Sequence, residues 1–362
     1  MAIQAYASPA QRVGVLKGRI QKHAMPKIVL GTIGVNEDFK KNSGDTVKYR
    51  RFLAKGQTAA QPNRFFQDLT AVDRSAAYAN EHLSAEGVTP GAESITAQDI
   101  TATLQEFNVL FGYSNKTFDL YEDDVPKAMT ELVGERTGLV HEMVLFGVLK
   151  GCTNKFYGGT GTSRATVNGT LSINLLRKVA RSLRANHAET IGKMVVKNTA
   201  SGMYGTSAIG SACFPVFIST DLIPDVQDLP GFIPVEKYGK ETIAVAGEIG
   251  SVDSSFRFIA SPDLVGIQDG GAAIAGTVPA LTSLTGTYSD VYQVIVGSQD
   301  AWSHIGVNLT GEGISALSPG QKDKSDPLGQ RGYVGVKFYY NAVVLNNLQM
   351  AVVEVATNAL TA

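Results

Sequence analysis

Residues 325–355 read SDPLGQRGYVGVKFYYNAVVLNNLQMAVVEV, and the parsing of this stretch decides the fold. Pro327 fixes its own φ, and Gly329 and Gly332 tolerate φ > 0, so 326–332 is expected to be a shaped loop. Val334, Val336, Phe338 and Tyr340 then alternate with Gly335, Lys337 and Tyr339, the period of a half-buried strand. A second apolar run follows. Asn346-Asn347, residues that tolerate the left-handed region, predict a reversal into Gln349–Val355. The expected structure is a loop and two paired strands that close a sheet late in the chain. Nothing in the stretch has catalytic character.

The 362 residues are enough for two or three domain-sized cores. A formal charge of -1 gives the whole molecule no electrostatic bias toward nucleic acid or membrane, although the charge is locally uneven. Cys152 and Cys213 are too few for a disulfide framework, which predicts two half-buried thiols in a reducing compartment. No apolar run approaches the ~18 residues of a membrane span, and the N-terminus has no secretory h-region.

Residues 1–36 carry Arg12, Lys17, Arg19, Lys22 and Lys27 without one Asp or Glu. Val13, Leu16 and Ile20 make one short amphipathic face before Pro26, too little to fold alone. This predicts an arm, either solvated or ordered by docking on another subunit. From Asp45 to Leu53 a strand is expected that puts Val47, Tyr49 and Arg51 on one face and Lys48, Arg50 and Phe52 on the other. Both faces are partly polar, so the strand reads as a solvated or inter-subunit ribbon. Beyond a long polar connection and the turn residues Gly87, Pro90 and Gly91, Ile100, Ala102 and Leu104 alternate with polar residues. Phe107, Val109 and Phe111 continue the pattern after a one-residue slip, read as a bulge. The two strands form a projecting hairpin that one subunit cannot cover on both faces.

Asp123-Asp124 and Pro126 start a helix in which Val125, Met129, Leu132, Leu139, Val140, Met143 and Phe146 recur to about Lys150, a rod of roughly 39 Å. Gly134, Gly138 and Gly147 each cost it about 1 kcal/mol relative to Ala, so it needs packing or bends at one of them. A Gly-Thr-rich loop at 154–170 leads to a second helix capped by Ser172, with Leu176, Val179, Ala180 and Leu183 on its apolar face. Arg177, Arg181 and Arg184 stack on the adjacent face. That stripe is either solvated and paired with acids of the next subunit, or an inward-facing, sequence-blind contact with DNA. From Met194 to Gly329, short strands broken by Pro and Gly are expected. Leu264–Ser289 has Asp269 as its one charge and reads as a surface insertion or a subunit contact.

The motifs that would carry catalysis fail on spacing. Gly159-Thr160-Gly161 lacks the third glycine of a dinucleotide loop, since Arg164 stands there, and is expected to be a plain flexible loop. Gly205–Gly210 misses a nucleophile elbow because Ile209 stands where Gly is needed. His141-Glu142 begins like a zincin helix, but Leu145 replaces the second histidine. Asp221, Asp225 and Asp228 lack the loop of a calcium site and read as a solvated acidic face or inter-subunit ion pairs. No catalytic, cofactor-binding or metal-binding residue is assigned, and an enzyme with an unrecognised site is the weakest reading.

The run SDPLGQRG-x-VG-x-KFY, followed by Leu345-Asn346-Asn347 and Met350, resembles the closing segment of tailed-phage major capsid proteins, closest to the branch typified by the phage called N-four. Further matches follow in family order: Gly44-Asp45-Thr46-Val47, Glu86-Gly87-Val88-Thr89-Pro90, Leu176-Arg177-Lys178, Gly247-Glu248-Ile249-Gly250 with Arg257-Phe258, and Asp300-Ala301-Trp302. The resemblance implies an α+β shell fold of the HK-ninety-seven type: an N-terminal arm (1–36), an extended β-hairpin loop (37–120), a peripheral domain with a long spine helix (121–195), a strand-rich axial domain (196–329), and return strands completing the peripheral domain (330–362). It implies no enzyme and no cofactor. The expected partners are further copies of the chain in pentamers and hexamers, packaged double-stranded DNA by non-specific contact, and scaffolding, portal and decoration proteins, with no membrane. The expected location is the virion head, assembled in the host cytoplasm. An encapsulin-type compartment shell is the alternative within the same fold.

Overall fold

The computed structural model describes residues 29–38, 44–54, 57–59, 62, 82–89, 91–120, 124–197, 204–239, 243–245, 247–253, 255–274, 281–306, 315–322 and 325–360. In chain order these form β1 (Val35–Asp38), β2 (Thr46–Leu53), β3 (Thr96–Thr103), β4 (Gln105–Ser114), α1 (Asn115–Leu120), α2 (Val125–Leu149), β5 (Lys155–Tyr157), α3 (Ile173–Ala185), β6 (Ile191–Lys197) and β7 (Tyr204–Ser219). They continue as α4 (Ile223–Gln227), β8 (Phe232–Pro234), β9 (Glu248–Val252), β10 (Phe256–Ser261), β11 (Tyr292–Val296), β12 (Trp302–Gly306), β13 (Ser315–Leu317), β14 (Arg331–Val344) and β15 (Ala351–Val355).

Residues 325–355 divide between two sheets. β14 is the spine of a five-stranded sheet: β4 pairs with it antiparallel over Arg331–Tyr340, β13 at Tyr333–Gly335 and β12 at Tyr340–Val344, and β1 extends β12. β15 lies instead inside an eight-stranded sheet ordered β5-β15-β11-β7-β10-β9-β8, with β6 on β7. The expected pairing of the two strands with each other is therefore wrong. Asn346 caps a 3-10 turn at Asn347–Gln349 through Leu348 N, and Leu345 N and Asn346 N both donate to Ala301 O. That anchored turn passes the chain from one sheet to the other instead of folding it back.

A second correction concerns residues 96–114. The one-residue slip is not a bulge but a change of sheet. Leu104 N donates to Asp45 O at 2.8 Å, which closes the β2–β3 ribbon, and β4 then joins β14. The hairpin accordingly ends at Thr103, and β4 belongs with the sheet that α2 covers.

The long helix falls where its cap placed it. Asp124 accepts from Lys127 N at 3.2 Å and Pro126 sits in the first turn. Its buried stripe differs from the predicted one: Met129, Val133, Glu142, Leu145, Phe146 and Leu149 are buried, whereas Leu132, Leu139 and Val140 are half-buried and Met143 is exposed. Apolar residues lie on every side of this helix, so periodicity alone does not choose the face. Its first half packs Met129 and Val133 on Val334, Val336, Phe338 and Tyr340; its last turns join Trp302, Phe217 and Val352. Gly134 and Gly147 border open space, so no close packing requires them.

The cap and apolar face of α3 match their reading. Ser172 caps it by accepting from Leu175 N at 3.3 Å, and Leu176, Val179, Ala180 and Leu183 are buried. They cover one face of the eight-stranded sheet with Phe214, Val216, Ile218, Val294, Val296, Val353 and Val355; Phe217, Ile295 and Val352 point to the other face. This is the period-2 alternation of a sheet covered on both sides. β7, at 16 residues, overturns the expectation of only short strands. It runs through Pro215, which pairs with Arg257 of β10. On the edge where Pro215 O accepts from Gly297 N, β6 pairs no further than Cys213 and the β11 pairing starts only at Val216, so neither needs an N–H from Pro215.

Candidate assembly surfaces

The β2–β3 ribbon is an antiparallel pair in register from Thr46↔Thr103 to Leu53↔Thr96. One face lies toward its own chain. Val47, Tyr49 and Arg51 are half-buried and Leu53 is buried. Tyr49 Oη is 2.8 Å from Ser303 Oγ on β12, Arg51 reaches Leu345 O at 3.5 Å, and Asn341 Nδ2 donates to Thr103 O at 2.6 Å. Burial lowers the Arg51 guanidinium below its ordinary range. The other face, Lys48, Arg50 and Phe52, is exposed, with Phe52 at 64%. Arg50 pairs with Asp99 across the strands at 2.7 Å, and that hydrogen bond with its attendant charge holds the Asp99 carboxyl below its usual range. Exposed Leu83, Val88 and Ile95 belong to the connection between the two strands. The ribbon thus has one face partly covered by its own subunit and one face that its own subunit leaves open.

The arginines of α3 are brought together, but they are not equivalent. Arg177 binds Asp253 in the β9–β10 turn at 3.0 Å, and Arg184 donates to Ser255 Oγ at 2.8 Å. The ion pair raises Arg177 and lowers Asp253 relative to their ordinary values. Arg181 stands between them in a shallow cleft floored by Ala180 and Ala185. The expected partner acid for Arg177 is therefore in its own chain, because the β9–β10 turn closes over the N-terminal half of the helix. Arg12, Lys17, Arg19, Lys22 and Lys27 lie outside the described residues.

Other flagged residues take structural places. The loop at 154–170 is not a plain flexible loop. Gly159 and Gly169 approach so closely that a Cβ on either would meet the other's backbone within 3 Å, and Arg164 reaches in to Glu354 at 2.6 Å. Glu354, within β15 and fully buried, also accepts from Gln293 Nε2 at 3.2 Å and lies 3.7 Å from Lys155 Nζ. Burial pushes its carboxyl up, but the Arg164 and Gln293 hydrogen bonds and the two cations outweigh that and leave it low. A charged residue inside the apolar run AVVEV is the signal that calls for such partners. Asp225 is not part of a solvated acidic face: it is buried and accepts from Thr357 Oγ1 at 2.6 Å and Asn358 Nδ2 at 2.7 Å. Asp221 and Asp228 are exposed. Cys152 and Cys213 are both buried, more fully than expected, and burial pushes the Cys213 thiol up to about 12. Glu248 and Arg257, both from one family match, form a buried pair at 3.6 Å that the sequence does not reveal.

A long helix lying across a β14-centred sheet, a larger strand-rich sheet, and a ribbon open on one face define the phage capsid class of shell folds. Comparison with solved structures agrees. The capsid of Ralstonia phage GP4 aligns over 100% of both chains with a TM-score of 0.62 at 12% identity. The capsid of cyanophage Pam1 aligns over 99% of this chain and 100% of its own with a TM-score of 0.60 at 11% identity, and that of cyanophage P-SCSP1u over 98% and 96% with 0.56 at 9%. No protein-family model matches the chain. In sequence it is related to the major capsid protein of Pseudomonas phage KPP21, 24% identical over 268 residues that span 69% of this chain and 66% of that protein. The α+β phage capsid fold implied by the sequence resemblance is thus the fold observed.

Proposed function

We propose that this protein is the major capsid protein of a tailed double-stranded DNA phage, assembling as pentamers and hexamers into an icosahedral head around the genome. The observation that carries the reading is the β2–β3 ribbon, open on the Lys48, Arg50 and Phe52 face, on a chain whose fold aligns from end to end with phage capsids. An exposed edge of this kind is a liability in a free monomer and an asset in a shell, where a neighbouring copy covers it. Each contact is weak, but linked contacts multiply through effective concentration, so a closed shell holds without strong pairs.

The role is structural, not catalytic, and the place of action is the virion, assembled in the host cytoplasm. The basic arm and the α3 arginines are the groups through which the shell meets packaged DNA, without sequence preference and with strong salt dependence. Arg181, which makes no ion pair among the described residues, carries more of that contact than Arg177. Scaffolding, portal and decoration proteins are the further partners. A phage head is favoured over an encapsulin-type compartment because the curated relative is a phage major capsid protein.

Expression with the neighbouring genes, followed by sedimentation, electron microscopy and nuclease digestion, tests the reading. Closed particles of uniform diameter that protect DNA are expected. Small monodisperse oligomers under every condition would overturn it, and particles filled with protein would transfer it to the compartment class.

A further inference from the structure

One buried polar group outside these surfaces ties together two distant parts of the chain. Glu142 lies on α2 and is 1% exposed. Its Oε1 accepts hydrogen bonds from Val29 N at 3.2 Å and Leu30 N at 3.0 Å. Val29, Leu30 and Ile33 are themselves buried among Leu145, Phe146 and Leu149 of the same helix, and Ile33 O accepts the Trp302 indole N–H at 3.0 Å. This turn is the root of the N-terminal segment that carries the basic residues. Residues 29–33 contain no ionisable side chain, so Glu142 is the titratable group that contacts this turn directly.

The second carboxyl oxygen is anomalous. Glu142 Oε2 is buried and makes no hydrogen bond, whereas an ionised carboxylate needs both oxygens solvated or bonded. Among the described residues no neighbour offers a compensating cation near neutral pH. Asp263, after β10, repels the charge; Tyr340 on β14 is held neutral by burial and by Glu142 itself. His141, the preceding residue of α2, is pushed down to about 4 by burial and then by His304, and His304 on β12 is also lowered by burial. Burial raises the Glu142 carboxyl, the amides of Leu30, Val29 and Gly31 pull it back, and Asp263 raises it again, leaving it at about 7.

We propose that Glu142 is a proton-operated clasp on the root of the N-terminal segment, holding the Val29–Ile33 turn against α2 when protonated and loosening it when ionised. In the attached state its carboxyl is raised above the 4.5 of a solvated glutamate. Attachment is therefore full below about 4.5, weakens as pH rises from there, and has lost this contribution once pH passes about 7. Each unit in that window is worth up to about tenfold in the attachment equilibrium. The clasp does not depend on the shell reading; only its consequence for an assembled head does.

Amide hydrogen exchange on the full-length protein between pH 5 and 8, corrected for intrinsic base catalysis, tests it, with β15 as the internal reference. Protection of residues 29–33 relative to β15 should fall roughly ten- to a hundredfold across the range. In Glu142→Gln, a neutral stand-in of the same shape, it should stay high and flat. A flat wild-type profile overturns the proposal, as does an equal fall in the variant, or loss of protection at both extremes in a folded variant. Should that variant not fold, Asp263→Asn takes its place. Removing the repelling carboxylate must give a smaller fall that ends at lower pH, and an unchanged profile overturns the clasp.

Discussion

Along β11 and β15 every residue is buried, while along β2 every second residue is exposed and the partner strand β3 repeats the pattern. Both regions are β-structure with complete ladders, so hydrogen bonding does not distinguish them. What differs is where the apolar surface goes. The eight-stranded sheet is closed on both faces by its own chain, and the buried charge Glu354 has partners on three elements. The ribbon leans on β12 and β14 through Tyr49, Arg51 and Asn341 and leaves Phe52 outside. Folding completes the first region. On the proposed reading, another copy of the chain completes the second.

The comparison breaks most violently at its core end. Tyr340 is 3% exposed and stacks on His141 with ring centroids 4.3 Å apart. Tyr340→Asp would bury an unpaired charge at a cost of order 5 kcal/mol, comparable with the whole stability of a domain. The subunit should be insoluble or unfolded by circular dichroism; a soluble, folded variant would remove β14 from the core.

Next in size is Glu354→Ala, which strands Arg164 and Lys155. It should cost about 2–3 kcal/mol in denaturant melts, below the ~3–5 of a fully buried pair because Arg164 is partly exposed. The sign with pH follows from a carboxyl held low in the folded state. Its contribution is present above the unfolded value of about 4.5 and is lost as pH falls through the folded one. Glu354→Gln should therefore be less stable than wild type at pH 7 and flatter below pH 5.

Phe52→Asp sharpens the contrast from the other side. At 64% exposure it should change subunit stability by no more than about 0.5 kcal/mol, yet abolish or strongly reduce particle yield in sedimentation. A variant that assembles normally would make the open face incidental. The smallest effect is expected on α3: Arg181→Gln should leave folding and assembly intact and release packaged DNA at lower salt, with Arg177→Gln less effective because Asp253 already neutralises it. Equal retention in all three proteins would take the stripe away from DNA.

Legibility from sequence divided along physical lines. α3 was readable to the residue because a polar face and an apolar face alternate cleanly and Ser172 marks its start. The bounds of α2 were readable from Asp124 and Pro126, but its buried stripe was not, since apolar residues surround it. β14 and β15 were both legible as strands, while their partners were not, because pairing is settled by contacts far away in sequence: β15 meets β11 and β5, not its neighbour. The slip at Leu104 was visible as an inversion of alternation, and only the bond to Asp45 O reveals it as a change of sheet. The ribbon was legible as a surface that one subunit leaves open, because its polarity on both faces is local. The Glu142 contact was invisible, since its partners are backbone amides more than a hundred residues away.

A cryo-electron microscopy reconstruction of the assembled particle tests the central claim most directly. It should show a closed shell in which every β2–β3 ribbon lies against a neighbouring copy and Phe52 is buried between them. A shell in which Phe52 remains in solvent, or the absence of any shell alongside a stable, folded subunit, would contradict the account.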